Sequence, residues 1–363
     1  MTFNNQYRIL GGPGSPYSFK LRAVLRYRHI PHVWEVPQGP AYSNSDLLNA
    51  SKRVIPVLQF PDGAFRADTT PLIHELEESH PDHRSVFPPD PGQCFLANLI
   101  EEFADEWLIL AMADYRWNLA EDIAFCAKKQ ISGWMRSCPH ERLDDVVEKF
   151  TKRQTAVREA ACGPDQNRPV YQQTYQQLLQ ITEALNESSL FLFGSRPSIA
   201  DFGLFGPLFQ LAIDPTPSAI MRKTALRTYA WVQLMDDASG IDGEWAPADE
   251  PKRAVESLLR LTAETLLPLV SAIQEGYQRQ AESIELTILG KPFVLRLPYM
   301  EQHQIPTGPL YKIRSLGWLK ADLMKLQGEP RNRTEKILEE TGCRHYLDFQ
   351  PGEADQLTSR RSV

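Results

Sequence analysis

Leu10-Gly11-Gly12-Pro13-Gly14-Ser15-Pro16-Tyr17-Ser18-Phe19-Lys20-Leu21-Arg22 holds three hydroxyls in four residues, behind a glycine-rich turn. Ser15 stands where a helix N-cap belongs, and Pro16 follows at the first helical position, where its missing N–H costs nothing. Leu21, Val24 and Leu25 then recur at helical spacing. A hydroxyl at the positive end of a helix, beside free backbone N–H groups, stabilises an anion such as a thiolate. Ser15 is the first candidate for that role. Ser18, one turn on, and the Tyr17 phenol are the alternatives. A helix cap and nothing more is the competing reading of Ser15.

These hydroxyls need a frame, and the neighbouring sequence predicts one. Tyr7 to Leu10 reads as a strand. Val54-Ile55-Pro56-Val57-Leu58-Gln59-Phe60 is a short apolar run with proline near its start. Proline cannot donate to a sheet ladder, so it belongs at a strand's beginning or edge. A cis Ile55–Pro56 bond would turn the Ile55 backbone toward a ligand. Pro61-Asp62-Gly63 predicts a hairpin turn into a strand over Ala64–Ala67. Asp68-Thr69-Thr70-Pro71 opens a helix with Leu72, Ile73 and Leu76 on its buried face. The expected order of strand, helix, strand, helix, strand, strand, helix is a thioredoxin-like arrangement.

Four features, in order, resemble the glutathione transferases, especially classes with an active-site serine of the Tau or bacterial kind. They are Ser15-Pro16-Tyr17 with Lys20-Leu21-Arg22, Val54-Ile55-Pro56-Val57-Leu58, Asp68-Thr69 before a helix, and Gly194-Ser195-Arg196-Pro197-Ser198-Ile199-Ala200-Asp201. Asp68-Thr69 departs from the family's usual Glu-Ser or Gln-Ser pair but keeps one acid and one hydroxyl. The last feature is physically a helix start, with Ser198 as N-cap and Asp201 three residues on. The resemblance covers roughly residues 5–240.

The resemblance implies an α/β thioredoxin-like N-terminal domain over 1–86 and an all-α helical domain over 93–245, followed by a C-terminal α+β extension over 246–363. The extension is read from its own pattern, since the resemblance stops near residue 240; the resemblance further implies glutathione as co-substrate, a small hydrophobic electrophile as second substrate, and a homodimer. In that frame Ser15 favours the thiolate. The Ile55 backbone, before Pro56, pairs with the cysteinyl unit. Asp68 holds the γ-glutamyl ammonium, and Thr69 with its helix N-terminus holds the carboxylate. Lys52 or Arg53 meets the glycine carboxylate. Tyr17, Phe103, Trp107 and Tyr115 face the second substrate, with plain core packing as the alternative for each. Activity follows as transfer of the glutathione thiolate to an electrophile. A binding or scaffold protein of the same fold, or a specialised lyase or isomerase, is the alternative.

Composition bounds the remaining classes. The 363 residues carry a formal charge of −7, which argues against nonspecific nucleic-acid binding. No apolar run approaches the about 18 residues of a membrane span, and no secretory signal is visible. The five cysteines are scattered and odd in number, as in a reducing cytoplasm, and none lies in the Gly12–Lys20 turn. His80-Pro81-Asp82-His83 and Cys343-Arg344-His345 lack a third ligand, so no metal is expected.

Phe87-Pro88-Pro89-Asp90-Pro91-Gly92 reads as a linker. Beyond it Phe95, Leu99, Phe103, Trp107 and Leu110 mark one face of a long helix. Further helices are predicted at about 141–160, 171–185, 198–212, 225–238, 254–275 and 334–341, and a hairpin at 284–297.

Overall fold

A computed structural model describes residues 6–37, 54–136, 138–250, 252–298 and 308–348. Strand β1 (Tyr7–Leu10) runs through the turn into α1 (Pro16–Tyr27) and returns as β2 (His32–Glu35), parallel to β1. β3 (Val57–Gln59) and β4 (Phe65–Ala67) add antiparallel, giving the order β2-β1-β3-β4. The hairpin closes at Gly63, whose φ of 91° is glycine's province. α2 (Thr69–Ser79) follows. The Ile55–Pro56 bond is cis. This is the expected thioredoxin-like half.

The helical half begins with α3 (Pro91–Phe103), capped by Asp90. The expected single long helix is interrupted. A π-helical turn (Ala104–Leu108) joins α3 to α4 (Ile109–Asn118). The wider turn re-aims the face that follows, a common device at sites where polar side chains must be brought together. α5 (Ala120–Trp134), α6 (His140–Cys162), α7 (Arg168–Leu185), α8 (Ile199–Leu211), α9 (Pro215–Thr224) and α10 (Leu226–Asp236) complete it. α8 is buried along nearly all its length between α1 and α3, so it has no polar face.

Asp201 fixes the start of α8. Its carboxylate accepts from Ser198 N (2.8 Å), Ser198 Oγ (2.6 Å) and Leu192 N (3.1 Å), and the side chain is buried. Asp201→Ala removes a cap and strands buried donors, so we expect a loss of about 2–3 kcal/mol in urea melts with the substrate affinity of the folded protein unchanged. An unchanged melting temperature with lost activity would contradict this assignment.

Residues 253–298 and 308–348 share the same core. The helix expected over 254–275 divides into α11 (Arg253–Glu264) and α12 (Leu266–Gln278) at Thr265, whose hydroxyl bonds back to Leu261 O at 2.5 Å. β5 (Ser283–Ile288) and β6 (Lys291–Arg296) form the predicted hairpin. α13 (Pro309–Lys325) was not foreseen, and α14 (Gly328–Glu340) is longer than its prediction. α11, α13 and α14 all pack on α3. Leu258, Leu316 and Leu338 join Leu99 in one buried cluster. Among the described residues no helix is long and apolar enough to cross a membrane, and no group of three His, Cys, Asp or Glu is placed to hold a metal.

Candidate functional site

Ser15 has extended backbone (φ −93°, ψ 114°) and caps α1. Its Oγ accepts from Ser18 N at 3.2 Å and donates to the Ile55 carbonyl at 3.5 Å. The turn before it is compressed. A Cβ on Gly12 would lie 2.6 Å from Ile55 Cδ1, and one on Gly14 2.1 Å from Gln130 Oε1, so a side chain at either position would have to push Ile55 or Gln130 aside. Arg116 fastens the turn to the helical half: it donates to Gly14 O (2.7 Å), Gln210 Oε1 (2.7 Å) and buried Asp214 (2.6 Å). The hydroxyl is therefore held at one point between α1 and the cis-proline segment.

The other two hydroxyls are spoken for. Ser18 is fully buried and its Oγ accepts from Gly12 N at 3.3 Å, so it braces the turn from behind. Tyr17 OH donates to Asp105 O at 2.8 Å. Burial and the carboxylates of Glu106 and Asp105 hold its phenol well above the ordinary tyrosine range. Each of these hydroxyls is buried against an internal partner, and Ser15 differs in standing at the cap position of α1 beside the Ile55 carbonyl.

The three aromatics expected to face a second substrate are also corrected. Phe103 and Trp107 are fully buried and Tyr115 nearly so. Trp107 donates to Thr174 Oγ1 (3.2 Å) and stacks near Tyr171 and Phe293. Tyr115 sits edge-on to Tyr175. Core packing prevails for all three. The residues that press on the turn instead come from the end of α5. Trp134 Nε1 and Gln130 Nε2 there are buried donors without an acceptor among the described residues. Nothing in their sequence context marked them, since α5 was not resolved as a separate helix.

Asp68 and Thr69 stand together at the start of α2. Asp68 adopts φ 84°, uncommon for a residue with a side chain, while Thr69 is buried. The carboxylate of Asp68 accepts from Tyr311 OH at 2.9 Å through both oxygens. Arg314 approaches it to 4.0 Å. Lys52 and Arg53 lie outside the described residues. His80 and His83 serve the fold, through Tyr7 OH (2.9 Å) and Arg28 O (2.7 Å).

Between these two groups lies a buried ladder of charge. Lys20 reaches Glu101 and Asp105, the latter at 2.6 Å, and Thr70 Oγ1 donates to Glu101 at 2.5 Å. Lys312 pairs with Glu106 at 2.6 Å, and Ser315 Oγ donates to Glu102 at 2.5 Å. Two ammonium groups meet four carboxylates. Burial and neighbouring acids push Glu102 and Glu106 up, and Asp105 up to about 8, while Lys20 holds Glu101 down. Four acids within Glu101–Glu106, in a helix otherwise read as apolar, were the sequence signal for this ladder.

Residues 10–84 match the family model "Glutathione S-transferase, N-terminal domain". The curated glutathione S-transferase U8 of Arabidopsis thaliana is 26% identical over 121 residues, 32% of this chain and 53% of the relative. The chain thus spans about half the length of that relative. Among solved structures, it is similar to the Tau class glutathione S-transferase of mango, Mangifera indica (15% identity, 63% of this chain and 88% of that one, TM-score 0.40). It is also similar to the beta-etherase LigF of Sphingobium (16% identity, 70% and 98%, TM-score 0.45). Residues 10–84, which hold the turn, the cis-proline and the α2 start in order, are thus similar to the N-terminal domain of glutathione S-transferases.

Proposed function

We propose that the protein is a glutathione-dependent transferase in which Ser15 favours the glutathione thiolate for attack on a small electrophile. The observation that carries this is the Ser15 hydroxyl at the N-terminus of α1, within 3.5 Å of the Ile55 carbonyl that precedes the cis-proline. A free thiol has a pKa of about 8.5, so little is ionised at neutral pH. One hydroxyl donor and a helix N-terminus each contribute about 1 kcal/mol to the charged form. The Ile55 backbone pairs with the cysteinyl unit, and Asp68 and Thr69 hold the γ-glutamyl end. Lys52 or Arg53 serves the glycine carboxylate. Trp134 and Gln130 border the second-substrate side, which takes an apolar molecule. The reading includes division at 1–86, 93–245 and 246–363, action in the cytoplasm, and a homodimer.

The test is isothermal calorimetry with glutathione, followed by a conjugation assay with a general electrophile. Thr69→Ala should weaken glutathione binding by about 1–2 kcal/mol, since it removes a hydrogen bond to a charged group. Absence of binding by the unmodified protein at millimolar glutathione would refute the transferase. A non-catalytic binding protein of the same fold is the second reading. The observation in its favour is α13, whose Tyr311 already occupies the Asp68 carboxylate.

A further inference from the structure

We propose that the C-terminal extension completes the substrate site, with Arg314 of α13 binding the α-carboxylate of an amino-acid end whose ammonium is taken by Asp68. The inference rests on the glutathione reading above and names residues that nothing in the N-terminal domain supplies.

Three observations carry it. Arg314 is held in place rather than solvated at random: its guanidinium lies 5.0 Å from the Tyr311 ring centroid and 5.1 Å from that of Trp318. Stacking of this kind orients a planar cation and leaves its edge for a planar anion. Its Nε is buried and makes no hydrogen bond among the described residues, while the side chain as a whole is 39% exposed and so open to an incoming anion. Its nearest carboxylate, Asp68, is at 4.0 Å, beyond hydrogen-bond distance.

The electrostatics of the site call for such a cation. The start of α2 is the natural place for a carboxylate, through Thr69 and the exposed N–H groups. Yet Asp68 itself stands there, with Glu101 and Asp105 reached through Thr70, one residue on. Lys20 pairs with both of those acids, whereas the cation that approaches the Asp68 carboxylate from α13 is Arg314, at 4.0 Å. A guanidinium beside Asp68 makes the site dipolar. An α-amino acid, with ammonium and carboxylate on one carbon, matches the adjacent opposite charges. Tyr311 OH, donating to both Asp68 oxygens, sets the orientation of that carboxylate. Tyr311 is therefore a positioning residue, whereas Arg314 touches the substrate.

Two tripeptide analogues separate the roles: 4-aminobutyryl-Cys-Gly, which lacks the α-carboxylate, and glutaryl-Cys-Gly, which lacks the ammonium. Calorimetry on the full chain should show Arg314→Ala binding glutathione about ten-fold more weakly, with no change for 4-aminobutyryl-Cys-Gly. Tyr311→Phe should weaken glutathione several-fold, and leave glutaryl-Cys-Gly unaffected. Melting temperatures report whether each variant folds. Should Arg314→Ala not fold, Arg314→Lys keeps the charge and stem but loses the planar fork, and should recover only part of the affinity. Equal weakening of both ligands by Arg314→Ala would overturn the proposal. So would tight binding of 4-aminobutyryl-Cys-Gly, equal to that of glutathione, by the unmodified chain. No glutathione binding at all would instead overturn the transferase reading, and this inference with it.

Discussion

Lys20→Met should cost about 3–5 kcal/mol, the range found when one partner of a buried ion pair is removed and the other charge stays. The Lys20 side chain is 1% exposed and lies between Glu101 and Asp105, which are 2% and 8% exposed. Without the ammonium, two buried carboxylates either ionise against each other or take up protons. The loss should therefore shrink as pH falls, because protonation neutralises the stranded acids. Lys20 also ties α1 to α3 and the π turn, so the variant loosens the join between the thioredoxin-like and helical halves.

The same ladder makes the unmodified protein pH-sensitive. Burial raises Asp105 to about 8 from an ordinary carboxylate value near 4, and raises Glu102 and Glu106. The groups facing them are Lys20 from α1, Thr70 from α2, and Lys312 and Ser315 from α13. Between about pH 4 and 8 the folded chain holds protons that the unfolded chain has released. Stability then falls as pH rises through that window, by about 1.4 kcal/mol for each unit by which a group's folded value exceeds its unfolded one. Thermal melts at pH 5.5 and 8.5 check the sign. A protein more stable at the higher pH, or a Lys20→Met variant with the wild-type melting temperature, would remove the ladder from the energetic account.

What the sequence disclosed follows the range of the interactions. The Ser15 turn, the Pro61–Gly63 hairpin and the Ser198–Asp201 start are written within a few residues, in glycine, proline and capping chemistry, and all three are found. The β5–β6 hairpin shows in its alternation for the same reason. The π turn does not, because its cause is distant: Glu101, Asp105 and Glu106 are satisfied by residues 81, 85 and 206 positions away. Periodicity sees apolar Phe103 and Trp107 and assigns one face. It cannot see that the acids between them have buried partners. Tyr311 and Arg314 were illegible for the same reason, since only folding brings them 243 or more residues back to Asp68. Core aromatics and pocket aromatics likewise look identical in a sequence, and burial alone decided Phe103, Trp107 and Tyr115.

Ser15→Ala should lower turnover about ten- to one-hundred-fold while changing glutathione affinity only slightly. The hydroxyl is assigned to the thiolate, and each 1.36 kcal/mol of lost stabilisation in the transition state is tenfold in rate. The tripeptide itself is held at Ile55, Asp68 and Thr69, which the substitution leaves in place. The pKa of the bound thiol, followed by thiolate absorbance, should rise by about one unit as the donor is lost, since 1.36 kcal/mol is also one unit of pKa. Some stability is lost as well. Ser15 Oγ accepts from Ser18 N at 3.2 Å, and losing such a cap costs about 1 kcal/mol. The two effects separate by readout: the cap appears in the melting temperature, the hydroxyl in the titration and in kcat. Unchanged kinetics with a raised thiol pKa would mean that chemistry is not rate-limiting. Unchanged kinetics and an unchanged pKa would assign the thiolate to the backbone N–H groups of α1 alone, since Ser18 and Tyr17 face Gly12 and Asp105. Equal loss of binding and turnover would reduce Ser15 to a cap whose removal disorders the turn that Arg116 holds at Gly14.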